Sequence, residues 1–348
     1  MFIKKIVKLF LLTIFFYNFG YSDFGYKASK ISVVITESDI VFVGKVNKVE
    51  VTASKYTSYI EVVEILKGST GDKNIVLNSE MINGALAEDE VYPQENNTYI
   101  FFCRKGGEGF VFTTTPLGIL SAIAIDLPHV DDSFNRKDDI KLLLNAYNIN
   151  KELFSKAGKR SLFNLYSQLK SEYIQSRLLD DLEDIVDEND IEFFIRGLQS
   201  DDVRYNLFSI TKAGTFRIEQ LKEPIANLLF TIPDIDINAN KIFHLLYALG
   251  NYGDVKHKDI FFKYLNNTYE GFRSLAVTGI ARIHDLETLL TLAPYYEQIQ
   301  DKEYLLNIIE EIKDNDILIP ILLEFRQIET KSDIIERINK IVTKRRGG

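Results

Sequence analysis

From Ile40 to Val51, "IVFVGKVNKVEV", apolar residues are first nearly continuous and then alternate at Val46, Val49 and Val51. They are rich in β-branched types, which predicts a strand with one face strongly buried. Gly44 interrupts the run, as a bulge or bend in a curled sheet would. A second strand is expected from Tyr59 to Leu66, ended by "KGSTGD", whose glycines supply the positive φ that turns use. "NIVLNSE" and "NTYIFFCRK" read as two more strands, and "GGEGFVFTTT" as a hairpin into a fifth. The polar stretch from Ser79 to Asn97, with Glu88, Asp89, Glu90 and Pro93, reads as a surface loop.

After "HVDDSFNRKDDIK" the period changes. Segments of about 10 to 15 residues carry apolar positions at helical spacing, separated by short polar or glycine turns. The boundary is expected near 144–150. "HLLYALGNYGD" ends at Asp254 and "AVTGIARIHD" at Asp285, 31 residues apart, and each is followed by another amphipathic segment. "DIEFFIRGLQSDDVRYNLFSITKAG" has the same form: a helix, a break at Ser200, Asp201 and Asp202 that offers an N-cap, and a second helix ending at Gly214. "KEYLLNIIEEIKDND", "ILIPILLEF" and "SDIIERINKIV" continue it. A period near 30 built from helix pairs predicts an α-solenoid, because one pair cannot cover its own apolar face. A generic helical bundle is the other packing such segments allow. The expected fold class is therefore α+β multidomain: a small OB-like β-barrel of five short strands, then an α-solenoid of helix pairs.

The chain has 348 residues, 46% hydrophobic and 26% charged, enough for two domains with substantial cores. Its first residues place Lys4, Lys5 and Lys8 before an apolar run from Leu9 to Tyr17, with Gly20 and Ser22 as the small residues of a cleavage site. Residues 1–22 read as a secretory signal cut after Ser22. The rival is an uncleaved anchor, but 10–21, interrupted by Asn18 and Gly20, is short of the ~20 apolar residues a span needs. Losing three lysines and no acid with that segment moves the formal charge from −9 to −12. Nucleic acid is thereby disfavoured as a partner, since binding it rests on basic side chains. The basic cluster Lys344, Arg345 and Arg346 closes the expected last helix, where it complements the helix dipole. With one cysteine, Cys103, no intramolecular disulfide can form. Its strand context makes it a buried residue, with intermolecular pairing as the alternative.

On these residues the chain resembles two families. "ESDIVFVGKV", "YIEVVEILKGSTGDKNIVL" and "NTYIFFCRKGGEGFVFTTTPLG" look like the netrin-like domain shared with tissue inhibitors of metalloproteinases, over about 31–144. That resemblance implies an OB-fold barrel. The inhibitors of that family chelate a protease zinc through an N-terminal cysteine; here the expected mature end, "DFGYKASKI", has none, so the activity does not carry over. "LQSDDVRYNLFSITKAG" and "YALGNYGD" are similar to short HEAT-like repeats of the PBS-lyase type, over about 191–342. Together these imply a signal peptide at 1–22, a netrin-like barrel at 23–148, a helical linker or cap at 149–190 and a HEAT-like solenoid at 191–348.

Chemistry-bearing patterns are sparse. None of the four histidines, His129, His244, His257 and His284, is followed by glutamate, which removes the His-Glu pairs with which some HEAT-repeat enzymes hold two irons. His244 reads as a hydrogen-bonded packing residue in an apolar helix, and His257 and His284, near turns, as solvated. "LLDDLEDIVDENDIE" lacks the oxygen spacing and central glycine of a calcium loop and reads as a solvated helix face and loop. "KGGEG" lies between strands without a following helix, so it reads as a hairpin, and no serine sits in a G-x-S-x-G elbow. The sequons at Asn96 and Asn266 matter only in a eukaryotic secretory route, while the Lys-, Ile- and Asn-rich texture points to an AT-rich bacterium.

The expectation is an exported, non-enzymatic protein-binding or scaffold protein of a bacterial envelope, periplasmic or secreted. No catalytic, cofactor-binding or metal residues and no cofactor are expected, and no stable membrane span after cleavage. Recognition would use the helical-repeat surface, with Arg204, Arg273 and Tyr269 on its exposed faces. The alternative is a metalloprotease inhibitor acting through the barrel without the usual cysteine.

Overall fold

The structure, a computed structural model, describes residues 30–52, 55–80, 93–107, 109–113, 122–125, 133–299 and 302–347. The expected signal at 1–22, most of the polar loop before Asn97, and His129 lie outside these residues. Packing divides the chain into two compact units between Val186 and Asp187.

The first unit opens with helix α1 (Ile31–Glu37) and continues as strands β1 (Ile40–Val51), β2 (Lys55–Lys67), β3 (Asn74–Glu80), β4 (Thr98–Gly106), β5 (Gly109–Phe112) and β6 (Ala122–Ala124). They form one antiparallel sheet in the order β3-β2-β1-β4-β5, with β6 also paired to β4. The sheet is unclosed, although β3 and β5, the two ends of the order, come close without sharing a ladder.

The two textures of β1 follow from what covers each face. Ile40, Phe42 and Val46 join Ile60, Ile75, Leu77, Tyr99, Phe101, Cys103 and Phe112 in a core on the inner face. Phe42 stacks on Phe101 at 5.2 Å between ring centroids. Val41, Val43, Ile100 and Phe102 point the other way and are buried as well, which makes the first half of β1 continuous in its apolar pattern. Past Val46 the strand is increasingly exposed and alternates. Gly44 sits at a register shift, where a Cβ would lie 2.4 Å from the Ile60 side chain.

Two elements escaped the sequence pattern. "ISVVITE" has strand-like composition yet forms α1, because Ile31, Val34 and Ile35 fall at helical spacing and are all buried. β6 is a strand of only three residues, held by β4 and by Arg136, whose Nη1 donates to the Ala124 carbonyl at 3.0 Å.

Helices α2 (Ser133–Ile149), α3 (Lys159–Tyr166) and α4 (Glu172–Leu182) complete this unit. Of the stretch 149–190, read from sequence as a helical linker or cap, residues 149–186 fall in the same unit as the sheet. The reason is polar as well as apolar: buried Asp181 on α4 accepts from the backbone N–H of Ser32 at 3.1 Å and from its hydroxyl, and Lys30 pairs with Asp184. Asp139 on α2 accepts the N–H groups of Lys170 (3.0 Å) and Ser171 (2.7 Å), just before α4 begins. These donors have no partner within the helix, so a carboxylate there both satisfies them and meets the positive end of the dipole.

The second unit consists of helices α5 (Ile191–Leu198), α6 (Val203–Thr215), α7 (Glu219–Thr231), α8 (Ala239–Tyr252), α9 (Lys258–Leu265), α10 (Glu270–Ile283), α11 (Leu286–Leu290), α12 (Lys302–Glu310), α13 (Asn315–Ile328) and α14 (Ser332–Arg346). Consecutive helices pack as pairs, α5 on α6, α7 on α8, α9 on α10 and α13 on α14. A row of α6, α8, α10, α12 and α14 runs through them, each packed on the next. Small residues allow that approach. A Cβ on Gly214 would lie 2.4 Å from the Ala248 backbone, one on Gly250 3.3 Å from Gly279, and one on Gly279 2.3 Å from the Phe261 ring.

Gly214→Ala is expected to destabilise the chain by roughly 1–3 kcal/mol, since overpacking against backbone exceeds the ~1 kcal/mol gain in helix propensity. Gly71→Ala, with nothing within 4 Å of its Cβ, is expected to be close to neutral. Urea midpoints of the two variants check this, and equal midpoints would refute the close-approach account.

Candidate interaction surface

The row of helices defines an edge. Thr211 on α6 bonds His244 on α8 at 2.8 Å, and the later Ala213 carbonyl accepts from the later Tyr252 hydroxyl at 3.1 Å. Between α8 and α10, Asp236 meets Tyr269 just before the helices begin, and Asn251 meets Arg282 near their ends. Partner numbers rise together, so the helices run parallel and their starts share one edge. The bonds Thr211 to His244, Asp234 to Asn267, Asp236 to Tyr269 and Asn251 to Arg282 link residues 31 to 33 apart, the repeat length read from sequence.

Three loops lie at that edge, 199–202 before α6, 232–238 before α8 and 266–269 before α10. Asp202 caps α6 by accepting the N–H of Arg204 at 2.9 Å. In the second loop Asp234 accepts from the Asn267 side chain at 2.9 Å, and Asp236 accepts from the Tyr269 hydroxyl, which raises the phenol above its ordinary range. Arg273 donates to the carbonyls of Asn267 (2.8 Å) and Thr268 (3.1 Å). The second and third loops therefore hold one another in place.

This edge is also apolar. Ile237 is 86% exposed and Phe230, at the end of α7, 77% exposed, with Val203, Ile235 and Tyr269 exposed beside the same loops. Tyr269 packs on Phe272 at 5.3 Å between rings. Of the residues expected on exposed faces, the structure brings Tyr269 and Arg273 together at the start of α10, while Arg204 is exposed at the start of α6, two helices away in the row. The sequence reading missed Phe230, Ile235 and Ile237. Their signal is "FTIPDIDIN", where isoleucine alternates with aspartate behind a proline, too short for a helix and too apolar for an ordinary turn.

The histidines divide. His244 is the packing residue expected, bonded to Thr211, and burial lowers its pKa. The solvated readings are corrected for the other two. His257, which closes the 3-10 turn 255–257, is 6% exposed, with Nε2 3.4 Å from Glu223 on α7. His284 takes a left-handed conformation (φ 56°) that ends α10, is half-buried, and burial lowers its pKa. It stands where Gly253 (φ 61°) ends α8.

The acidic stretch 178–192 is corrected in part: Asp181 is buried on Ser32, and burial pushes its carboxyl up to about 6. Cys103 is fully buried in the sheet core, and burial drives its thiol far above the usual range. Arg345 donates to the carbonyls of Glu310 (2.9 Å) and Ile312 (3.3 Å), so the terminal basic cluster serves the end of α12 as well as its own helix. Among the described residues, no group of three or more His, Cys, Asp or Glu side chains has the geometry to hold a metal ion. Among them too, no helix is long and apolar enough to cross a membrane.

No family model, curated protein or solved structure matches the chain.

A buried charge stabilises the far end of the row. The Glu329 side chain is fully buried, and its carboxylate accepts from Tyr296 (2.9 Å), Lys302 (3.1 Å) and the N–H groups of Thr330 (2.8 Å) and Lys331 (2.9 Å). Burial opposes its charge, but the donors from Lys331, Lys302, Tyr296 and Thr330 outweigh it and hold the carboxyl at about 2. Because this pKa is depressed, the stability is present above the unfolded value of about 4.3 and is lost as pH falls through about 2. Glu329→Gln should lower unfolding free energy by about 2–3 kcal/mol at pH 7, with the gap closing in acid. Denaturant titrations across pH measure it, and a gap independent of pH would contradict the assignment.

Proposed function

We propose that this chain is an exported protein that binds another protein through its helical unit and carries out no chemistry of its own. The observation that carries the reading is the set of large apolar side chains, Phe230, Ile235 and Ile237, exposed along an edge whose loops are braced by their neighbours. Exposed apolar surface of this kind marks association sites, and repeat proteins bind through surfaces built by stacking. The HEAT-like solenoid reading draws support from parallel successive helices, glycine contacts between them and bonds spaced by one repeat. The netrin-like barrel reading draws support from the strand order, in which β1 lies between β2 and β4 while β3 and β5 approach at the ends. A Greek-key barrel of the OB type closes between those two strands. Export to a bacterial envelope rests on residues 1–22, with their lysines and apolar run.

The test uses the full chain with a photoreactive amino acid at Ile237 in one preparation and at Val63, exposed on β2, in another. Irradiation in native envelope material should yield a discrete crosslinked protein from position 237 and none from 63. Crosslinking from position 63 alone would overturn the helical reading and favour the barrel as the binding half, the arrangement an inhibitor would use.

A further inference from the structure

The chemistry of the edge narrows the partner. Loops 199–202, 232–238 and 266–269 contain four aspartates, Asp201, Asp202, Asp234 and Asp236, and no lysine or arginine. Asp234 and Asp236 accept hydrogen bonds from neutral groups, an amide and a phenol, which orient the carboxylates without cancelling their charge. Arg273 is engaged by two backbone carbonyls, and the exposed arginines, Arg196 and Arg204, lie by the first loop, away from Asp234 and Asp236 in the second. Ile235 and Ile237 alternate with Asp234 and Asp236 in the second loop, and Phe230 at the end of α7 and Val203 at the start of α6 are exposed as well. An apolar strip with fixed negative charges at its rim favours an occupant that is apolar on one side and positive at its margins. It disfavours anionic lipid and nucleic acid.

We infer that the edge formed by the starts of α6, α8 and α10 docks a cationic amphipathic segment of a partner protein, with Phe230, Ile235 and Ile237 against its apolar side and Asp234 and Asp236 facing its lysines or arginines. This rests on the helical unit being the binding half. Adjacent helix axes lie about 10 Å apart, so three starts span roughly 20 Å. A helix of about 14 residues covers that length. Helix-in-groove recognition works in this way, with apolar anchors giving affinity and charges giving orientation.

The experiment titrates the full chain into a labelled peptide with leucines at helical spacing and lysines elsewhere, read by fluorescence anisotropy. Two control peptides carry glutamate in place of lysine or serine in place of leucine. Saturable binding of the lysine-leucine peptide alone is expected. Phe230→Ala with Ile237→Ala should weaken it about tenfold or more, as loss of central apolar anchors does. Asp234→Asn with Asp236→Asn should weaken it about fivefold at low salt and little at high salt, since exposed charges are screened. All four positions are exposed, so unchanged melting profiles are expected in both variants.

Equal binding of the glutamate peptide, or indifference to both double variants, overturns the cationic assignment. So does self-association through Ile237 seen by sedimentation, which would make a second copy the occupant. The outcomes separate this proposal from the one beneath it. A crosslink from position 237 without peptide binding sinks the partner chemistry and leaves the helical reading standing, whereas silence at 237 with crosslinking at 63 sinks both.

Discussion

The second unit depends on how closely neighbouring helices can approach. Gly214 against Ala248 and Gly250 against Gly279 bring successive helices of the row nearly to backbone contact. Close approach lets ordinary apolar side chains such as Leu245, Leu246, Leu249 and Ile280 be fully buried between helices. It also brings residues 31 to 33 apart within hydrogen-bonding distance, as with Thr211 and His244 or Asn251 and Arg282. A larger residue at any of these positions would separate two helices and break contacts along the whole pair. The edge where the helices begin inherits its geometry from this spacing.

The first unit solves a different problem. Its sheet has apolar residues on both faces of β1 and β4, so helices must cover the side away from the Phe42, Phe101 and Phe112 core. Covering a sheet with helices buries helix ends, and their free N–H groups need acceptors. Asp139 and Asp181 supply them, and Glu329 does the same in the second unit. Carboxylates used in this way are buried and have shifted pKa values, the features often read as marks of catalysis. Here burial raises Asp139 and Asp181 against the donors that hold them, and at Glu329 the donors prevail over burial, so each shift follows from structural surroundings.

A binding function agrees with this distribution of polar groups. Asp139, Asp181 and Glu329 are occupied by structure, and in the second unit Phe230, Ile235, Ile237 and Val203 are exposed at or beside the loops that precede α6 and α8. Asp234, Asp236, Asn267 and Tyr269 hold the second and third loops in one arrangement, so the surface proposed for docking is already ordered. Ordering in advance lowers the entropic cost of association.

The amino-acid pattern by itself determined the strand series β1 to β5, with β1 and β3 at their observed limits, and the helix pairs with their 31-residue spacing. It also determined the burial of Cys103. Period and turn chemistry are local, so they are legible along the chain. Tertiary structure decided the rest. α1 is a helix because a β-branched run at helical spacing found Asp181 and a surface to cover, neither of which lies nearby in sequence. His257 is buried against Glu223 of α7, 34 residues earlier, although its sequence neighbours are polar. The same holds for the edge: Ile235 and Ile237 are apolar in any reading, but only the parallel stacking of α6, α8 and α10 leaves them exposed together, rimmed by aspartates that neighbouring repeats hold in place.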